Sequence, residues 1–511
     1  MITFAGVKRK LLFLALAAVV AVACKKEDDT PSLLPGEVAM TSVAIDGVKA
    51  DYDAAERRFT ATLPAVTDFS ALSVTIVTEA TRMESGGERI LKENPQLDLR
   101  RPMRIRCIKN GTYQDYSIEA RNTGLPVVRI ETPGKKAVNS KETWVENASM
   151  TIELADGKVS YEGTADIRGR GNSTWNWYPK KPYALRLQEK SEILGMPAHK
   201  RWVLLAHWKD RTLMRNDAAF WLSAHSGLPY SVRGQYVQLV LNGKHLGNYY
   251  LCEQIKIGKD RVNIEKMEPM ETRPERITGG FLLEVDTYFD EKYQFINQNL
   301  FNLPWMVKQP DDDELSGAAF EYIRNWITDL EKLLKDTGRV QAHEYEACLD
   351  VDTAIDYLIV EELTGNNDFY NEWPWPGTHS AFFYKERGGK LYHGPVWDFD
   401  YHAFCPQFSH VWVGATKTLF YPALLKDQKF RSRLVERWNA QKSALKELPA
   451  HIDEVADHIR LSESLNHAQW PIVNNPENGD EEMTFQQAVD RMKKAFLDKW
   501  EWMDKNIANL K

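Results

Sequence analysis

From residue 37 to about 122 the apolar residues fall in short alternating runs, at Ala44-Ile45, 72–77 and 103–108. Asp46-Gly47 and Asn110-Gly111 punctuate those runs. A period of two bounded by Asp-Gly and Asn-Gly predicts strands joined by tight turns. The spacing fits a small all-β, immunoglobulin-like sandwich over residues 37–123. The region carries no charged cluster and no metal-ligand spacing, so its expected role is that of a spacer.

From Leu125 the pattern becomes mixed. Residues 127–131, 150–154 and 158–167 read as strands, the last running into a glycine-rich turn. Residues 236–241 and 245–251 read as a hairpin, because Asn242-Gly243 between them supplies the positive φ angles of a type I′ turn. Further on the period is helical. Phe320, Ile323, Ile327, Leu330 and Leu334 share one face, with Gly338 as the expected stop. Asp352 is placed to cap a second helix that ends near Gly365. Thr484 with Gln487 forms a capping box for a long final helix striped by Val489, Met492, Phe496, Trp500, Met503 and Ile507. Strands first and helices later predict an α+β domain with two lobes over residues 124–511.

At 511 residues the chain is long enough for two to four domains. Its net charge of -7 lacks the strong basic excess of a dedicated nucleic-acid binder, so no nucleic-acid partner is expected. Five cysteines with no CxxC pair exclude a zinc ribbon and a disulfide-dense scaffold. At the N-terminus Lys8, Arg9 and Lys10 precede an apolar run that stops at Cys24. The run is short for a membrane span and has the layout of a secretory signal. Small residues directly before Cys24 resemble a bacterial lipoprotein processing box. The expectation is a signal peptide over 1–24, lipidation at Cys24, a tether over 25–36, and a cell-envelope protein on the outer membrane, its only membrane contact the lipid. An acidic run such as that at 25–29 suits surface exposure.

Three segments can carry chemistry. In Arg168-Gly-Arg-Gly-Asn-Ser-Thr-Trp175 the backbone at Gly169 and Gly171 can approach phosphate oxygens closely, and Arg168, Asn172 and Ser173 add donors. A strand follows, with Lys181 near its start and no intervening helix expected. Asp368 and Asn371 lie in a loop after an apolar helix, where a carboxylate could accept a hydroxyl proton and an amide could ligate a metal. A hairpin of strands 381–385 and 390–396 delivers Asp398 and Asp400 at its exit, oxygen donors suited to Mg2+ or another hard divalent cation. Each segment has a plain alternative: a glycine hairpin, a helix stop, a solvated turn. Their order is that of the kinase fold: glycine loop, lysine strand, loop aspartate, then metal aspartate.

The runs IRGRGNSTW, YPKKPYALRL, RWVLLAHWKDRTLMRN, GNYYLCEQIK, GGFLLEVD and YHGPVWDFD together resemble the CotH (spore coat protein H) family of atypical secreted kinases, over about 125–505. The resemblance implies a Mg2+-dependent transfer of the ATP γ-phosphoryl group to serine or threonine of a secreted or surface protein. It implies Asp368 as the catalytic aspartate and Asp398 as the metal aspartate. It places Arg168–Ser173 and Lys181 on the nucleotide side, with Glu253 facing the same cleft. The second metal ligand falls to Asn371 or to the region of Ser380, and Arg215 and Asn216 belong to a motif of lobe architecture. The other class of function is a catalytically weak or inactive surface module that binds glycan or protein.

Overall fold

The computed structural model describes residues 33–91, 93–371, 377–472 and 478–510. Cys24 and its flanking signal lie outside the described residues. The chain divides into two compact units: one of residues up to Thr60 with Ser70–Glu119, the other of Ala61–Phe69 with Ala120–Lys511.

The first unit is β-rich. Met40–Ile45 pairs antiparallel with Leu72–Thr78, and Met103–Lys109 with Thr112–Arg121. Alternate positions Val43, Ile45, Leu72, Val74, Ile105 and Cys107 are buried, as a period of two requires. Both predicted turns form, with φ of 46° at Asp46 and 49° at Asn110, each followed by a glycine that also has positive φ.

In the second unit the strands Val127–Glu131, Val145–Glu153, Val159–Gly169, Tyr183–Ile193, Met196–Leu205, Lys244–Glu253 and Gly234–Leu241 pair in that order. The barrel closes where Gly234–Leu241 runs parallel to Val127–Glu131. Ile152, Ile167, Leu185, Trp202, Leu204, Leu239 and Leu251 fill its interior. The outward faces of the same strands carry Ala184, Leu205 and Arg168, which belong to the cleft described below. The Asn242-Gly243 hairpin is present, with both residues at positive φ. A second sheet runs Gln294–Ile296, Pro304–Gln309, Phe281–Val285, Ala381–Lys385, Leu391–His393. Helices Arg215–His225, Gly317–Lys335, Val351–Thr364, Gln428–Leu445, Leu448–Gln469 and Phe485–Asn506 share one core with it.

Helix ends depart from expectation at two places. Gly317–Lys335 stops at Asp336, not Gly338: the Asp336 carboxylate accepts from the Gly338 and Arg339 amides and starts the next helix, Thr337–Gln341. Asp350, not Asp352, caps Val351–Thr364, accepting from the Thr353 amide at 2.9 Å. Asp352 is then free to pair with Arg433 and Arg437. Gly365 ends that helix at φ 61°, and the Thr484–Gln487 capping box is closed in both directions. A short helix, Ser173–Asn176, intervenes after the glycine turn where none was expected. Cys252, Cys348 and Cys405 are free thiols. Among the described residues no helix is long and apolar enough to cross a membrane.

Candidate active site

A cleft of about 820 Å³ lies between the outer face of the barrel strands and the ends of the second sheet. The strand Val159–Gly169 ends at its rim, and Gly171, at φ 83°, turns the chain so that Asn172 and Ser173 also line it. A side chain at Gly169 would collide with the Trp175 ring, so that position requires glycine.

On the opposite wall stand Asp368, Asn371, Asp398 and Asp400. Asp368 is held in a 3-10 turn, Asn367–Tyr370. Asn366 caps the turn by accepting the Asp368 amide at 3.2 Å, while its own side-chain amide donates to Glu361 at 3.0 Å. Asp398 has a left-handed backbone, φ 69°, which an L-residue holds only when its surroundings impose it. The imposition is visible: the Phe399 amide donates to Asn216 Oδ1 at 2.8 Å. Arg215 Nε donates to the Ala403 carbonyl at 2.8 Å, and Asn478 Nδ2 donates to the Asp400 carbonyl at 3.1 Å. Arg215 is itself fixed by Asp210 and Asp480, all three fully buried. Arg215 and Asn216 therefore position the loop that carries both aspartates.

A further carboxylate joins them. Asp286, just past the strand Phe281–Val285, accepts from the Ser380 amide at 2.9 Å and from Ser380 Oγ at 3.3 Å; the same hydroxyl lies 3.4 Å from Asp398 Oδ2. His379 Nδ1 is 3.6 Å from Asp286. Burial pushes Asp368 up to about 7, with Asp398 and Asp286 adding to the rise and His379 opposing it. Burial also raises Asp398 and Asp400, and Arg170 partly offsets the rise at Asp398. Lys209, pulled down to about 8 by burial, is held up by Asp400.

Two expected residues are not brought to the cleft. Lys181 donates to the Trp175 carbonyl beneath the short helix. Its neighbour Lys180 is buried and spends its ammonium on the carbonyls of Ala206 and Asn248. Glu253 is fully buried and faces away: it takes Arg233 at 2.8 Å and the Tyr230 hydroxyl at 3.0 Å. The cations that face the aspartates are Arg170 and Lys209.

Residues 167–503 match the family model described as CotH kinase protein. The chain belongs to the CotH kinase family. No curated protein matches it. Among solved structures, the crystal structure of a candidate glycoside hydrolase from Bacteroides thetaiotaomicron aligns at 13% identity and a TM-score of 0.15. That alignment covers 33% of this chain and 51% of that one, about half its length, and carries no argument.

The CotH family is one of kinases, for which ATP and a divalent cation are the general requirement. Among the described residues no three His, Cys, Asp or Glu side chains are gathered tightly enough to hold a metal alone. The donor set nevertheless fits a hard cation, since Asp286, Asp398 and Asp400 are all oxygen donors. Mg2+ is usually held by one or two carboxylates, with phosphate oxygens and water completing the shell. Of the cleft residues, sequence reasoning missed Asp286, His379 and Lys209. Asp286 ends the run GGFLLEVD directly after its strand, and Lys209 sits in RWVLLAHWKD in the turn that follows Met196–Leu205, so the signal was a polar residue just beyond an apolar strand.

Proposed function

We propose that this CotH protein is a two-lobed atypical kinase that transfers the γ-phosphoryl group of ATP to a serine or threonine hydroxyl of a secreted or surface protein. The observation that carries the reading is the meeting of the 168–173 turn with Asp368, Asp398 and Asp400 across one cleft. The barrel and the helical part serve as the two lobes.

In this reading Asp398 holds the metal together with Asp400, and Asn371, which lines the same wall, would complete the set. A bound divalent cation would neutralise phosphate charge and orient the triphosphate. The amides and donors of the glycine turn cradle phosphate oxygens. Arg170 and Lys209 take the part first expected of Lys181, supplying positive charge where negative charge develops in transfer. Asp368 accepts the proton of the acceptor hydroxyl, and a carboxylate raised to about 7 is well matched to that task near neutral pH. An Asp368→Asn protein should retain its fold and lose phosphoryl transfer by ~10²–10⁴-fold. The assay follows label from γ-labelled ATP into the chain itself or a serine-containing acceptor. Undiminished transfer would contradict the assignment.

The run before Cys24 supports reading the protein as a lipoprotein of the bacterial envelope, with residues 37–123 as an immunoglobulin-like spacer. A Cys24→Ser chain should then move from the membrane to the soluble fraction. Retention on membranes would exclude the lipid anchor.

A further inference from the structure

On the outer face of the barrel, three guanidinium groups surround one indole. Arg168, Arg186 and Arg201 lie 4.7, 4.9 and 5.6 Å from the centroid of the Trp144 ring. The register explains the gathering: Arg186 is directly opposite both Asp166 and Arg201 on the neighbouring strands, and Arg168 is two residues beyond Asp166.

Three like charges so close need compensation, and only Arg186 receives it through an ion pair; Glu142 and Glu291 act on Arg168, and Asp311 and Asp166 on Arg201, without one. Arg186 is paired with the buried Asp166 at 2.7 Å. Arg168 and Arg201 have neither an ion pair nor a side-chain hydrogen bond among the described residues, and Arg168 Nε is buried without a partner. Both lose solvation, and Arg186 lowers the proton affinity of each, as Arg168 also does at Arg201. Leaving the Arg168 Nε buried and unpaired is costly, and stability alone does not call for it. Contact with Trp144 orders the three guanidinium groups, and ordered guanidinium forks are what grip oxyanions.

We infer that Arg168, Arg186 and Arg201, ordered on Trp144, form a binding site for a phosphate monoester dianion. The donor chemistry selects the ligand: several guanidinium forks gathered on one ring suit the three terminal oxygens of a phosphate better than the two of a single carboxylate. The site adjoins the cleft through Arg168, so the phosphate has two sources: the nucleotide, or a phosphorylated residue of the acceptor held beside the cleft. Arg168 is shared with the nucleotide turn of the proposed kinase site, whereas Trp144, Arg186 and Arg201 lie outside the cleft lining.

The test uses the full chain with three probes: a short phosphoserine peptide, its serine twin, and ATP with Mg2+. Titration of the unmutated protein should show the phosphopeptide binding at least ~10-fold tighter than its twin if the acceptor supplies the phosphate. Arg201→Gln should then abolish that preference and leave Mg·ATP binding unchanged. If the nucleotide supplies the phosphate, Arg201→Gln should instead weaken Mg·ATP by ~10-fold. Arg201→Lys keeps the charge but loses the fork, and should show the same loss in an intact fold. The assignment is overturned if the unmutated protein does not prefer the phosphopeptide and both variants bind Mg·ATP as it does. Failure of the kinase reading looks different, since there Mg·ATP gives no heat while the peptide preference persists.

Discussion

Glu361 shows how a single buried acid ties the helix Val351–Thr364 to Asp368. It is 1% exposed and accepts from Asn366 Nδ2, the residue whose own oxygen caps the Asp368 turn. Burial raises it from 4.5 to about 8, so the folded chain keeps its proton where the unfolded chain has lost it. The folded state thus binds more protons between about pH 4.5 and 8, and stability from this group falls as pH rises through that window, by ~1.4 kcal/mol per pH unit. Glu361→Gln cannot ionise. Its thermal midpoint should therefore gain on the unmutated protein steadily from pH 5 to pH 8; parallel curves would show that Glu361 is not held neutral. Residues of this kind are hard to read in a sequence, because an acid inside an apolar helix gives no hint of its partner. Asp398 and Asp400 were legible because an apolar hairpin run leads toward them, although the strand itself ends at His393. Lys181 was misleading for a physical reason: the strand begins at Tyr183, so strand alternation does not set the direction of the two lysines before it. Glu253 sits at a strand end in a quoted motif, but its partner Arg233 comes from the start of the adjacent strand, which spacing does not reveal.

At the level of elements, Glu362 joins three pieces of chain. Its carboxylate accepts the amides of Val413 at 2.9 Å, Gly414 at 2.9 Å and Ala415 at 2.8 Å, and the ammonium of Lys499 at 3.2 Å. Val351–Thr364, the loop after the aspartates and the final helix are thereby held as one body, with both charges nearly inaccessible to solvent. Removing one partner of a buried ion pair costs about 3–5 kcal/mol, because the other is left uncompensated. Glu362→Ala should lose stability of that order in denaturant unfolding. Glu362→Leu with Lys499→Met should lose distinctly less, and equal losses would show that the pair itself is not what matters. The elements joined here were largely legible, since helical and strand periods differ and most boundaries carry a capping or turn residue. Asp350 and Asp352 are the instructive failure: both are placed to cap, and only the pairing of Asp352 with arginines on Gln428–Leu445 decides between them.

At the scale of the whole molecule, chain order proved more informative than any one motif. A glycine turn, a loop aspartate and a hairpin aspartate lie far apart in sequence, and the fold brings them to one cleft. What remained hidden were the groups from other strands, Asp286 and Lys209, whose approach depends on how the second sheet meets the barrel. The central claim is a division of labour: Asp398 holds the metal that carries the phosphates, and Asp368 acts on the acceptor hydroxyl after the nucleotide is bound. Isothermal titration of Mg·ATP into three proteins tests it most directly: the unmutated chain, Asp368→Asn and Asp398→Asn. The account predicts that Asp368→Asn binds like the unmutated chain, whereas Asp398→Asn binds at least ~10-fold more weakly, having lost one of few anionic ligands to a hard cation. No heat with the unmutated chain, or equal binding by both variants, would contradict it.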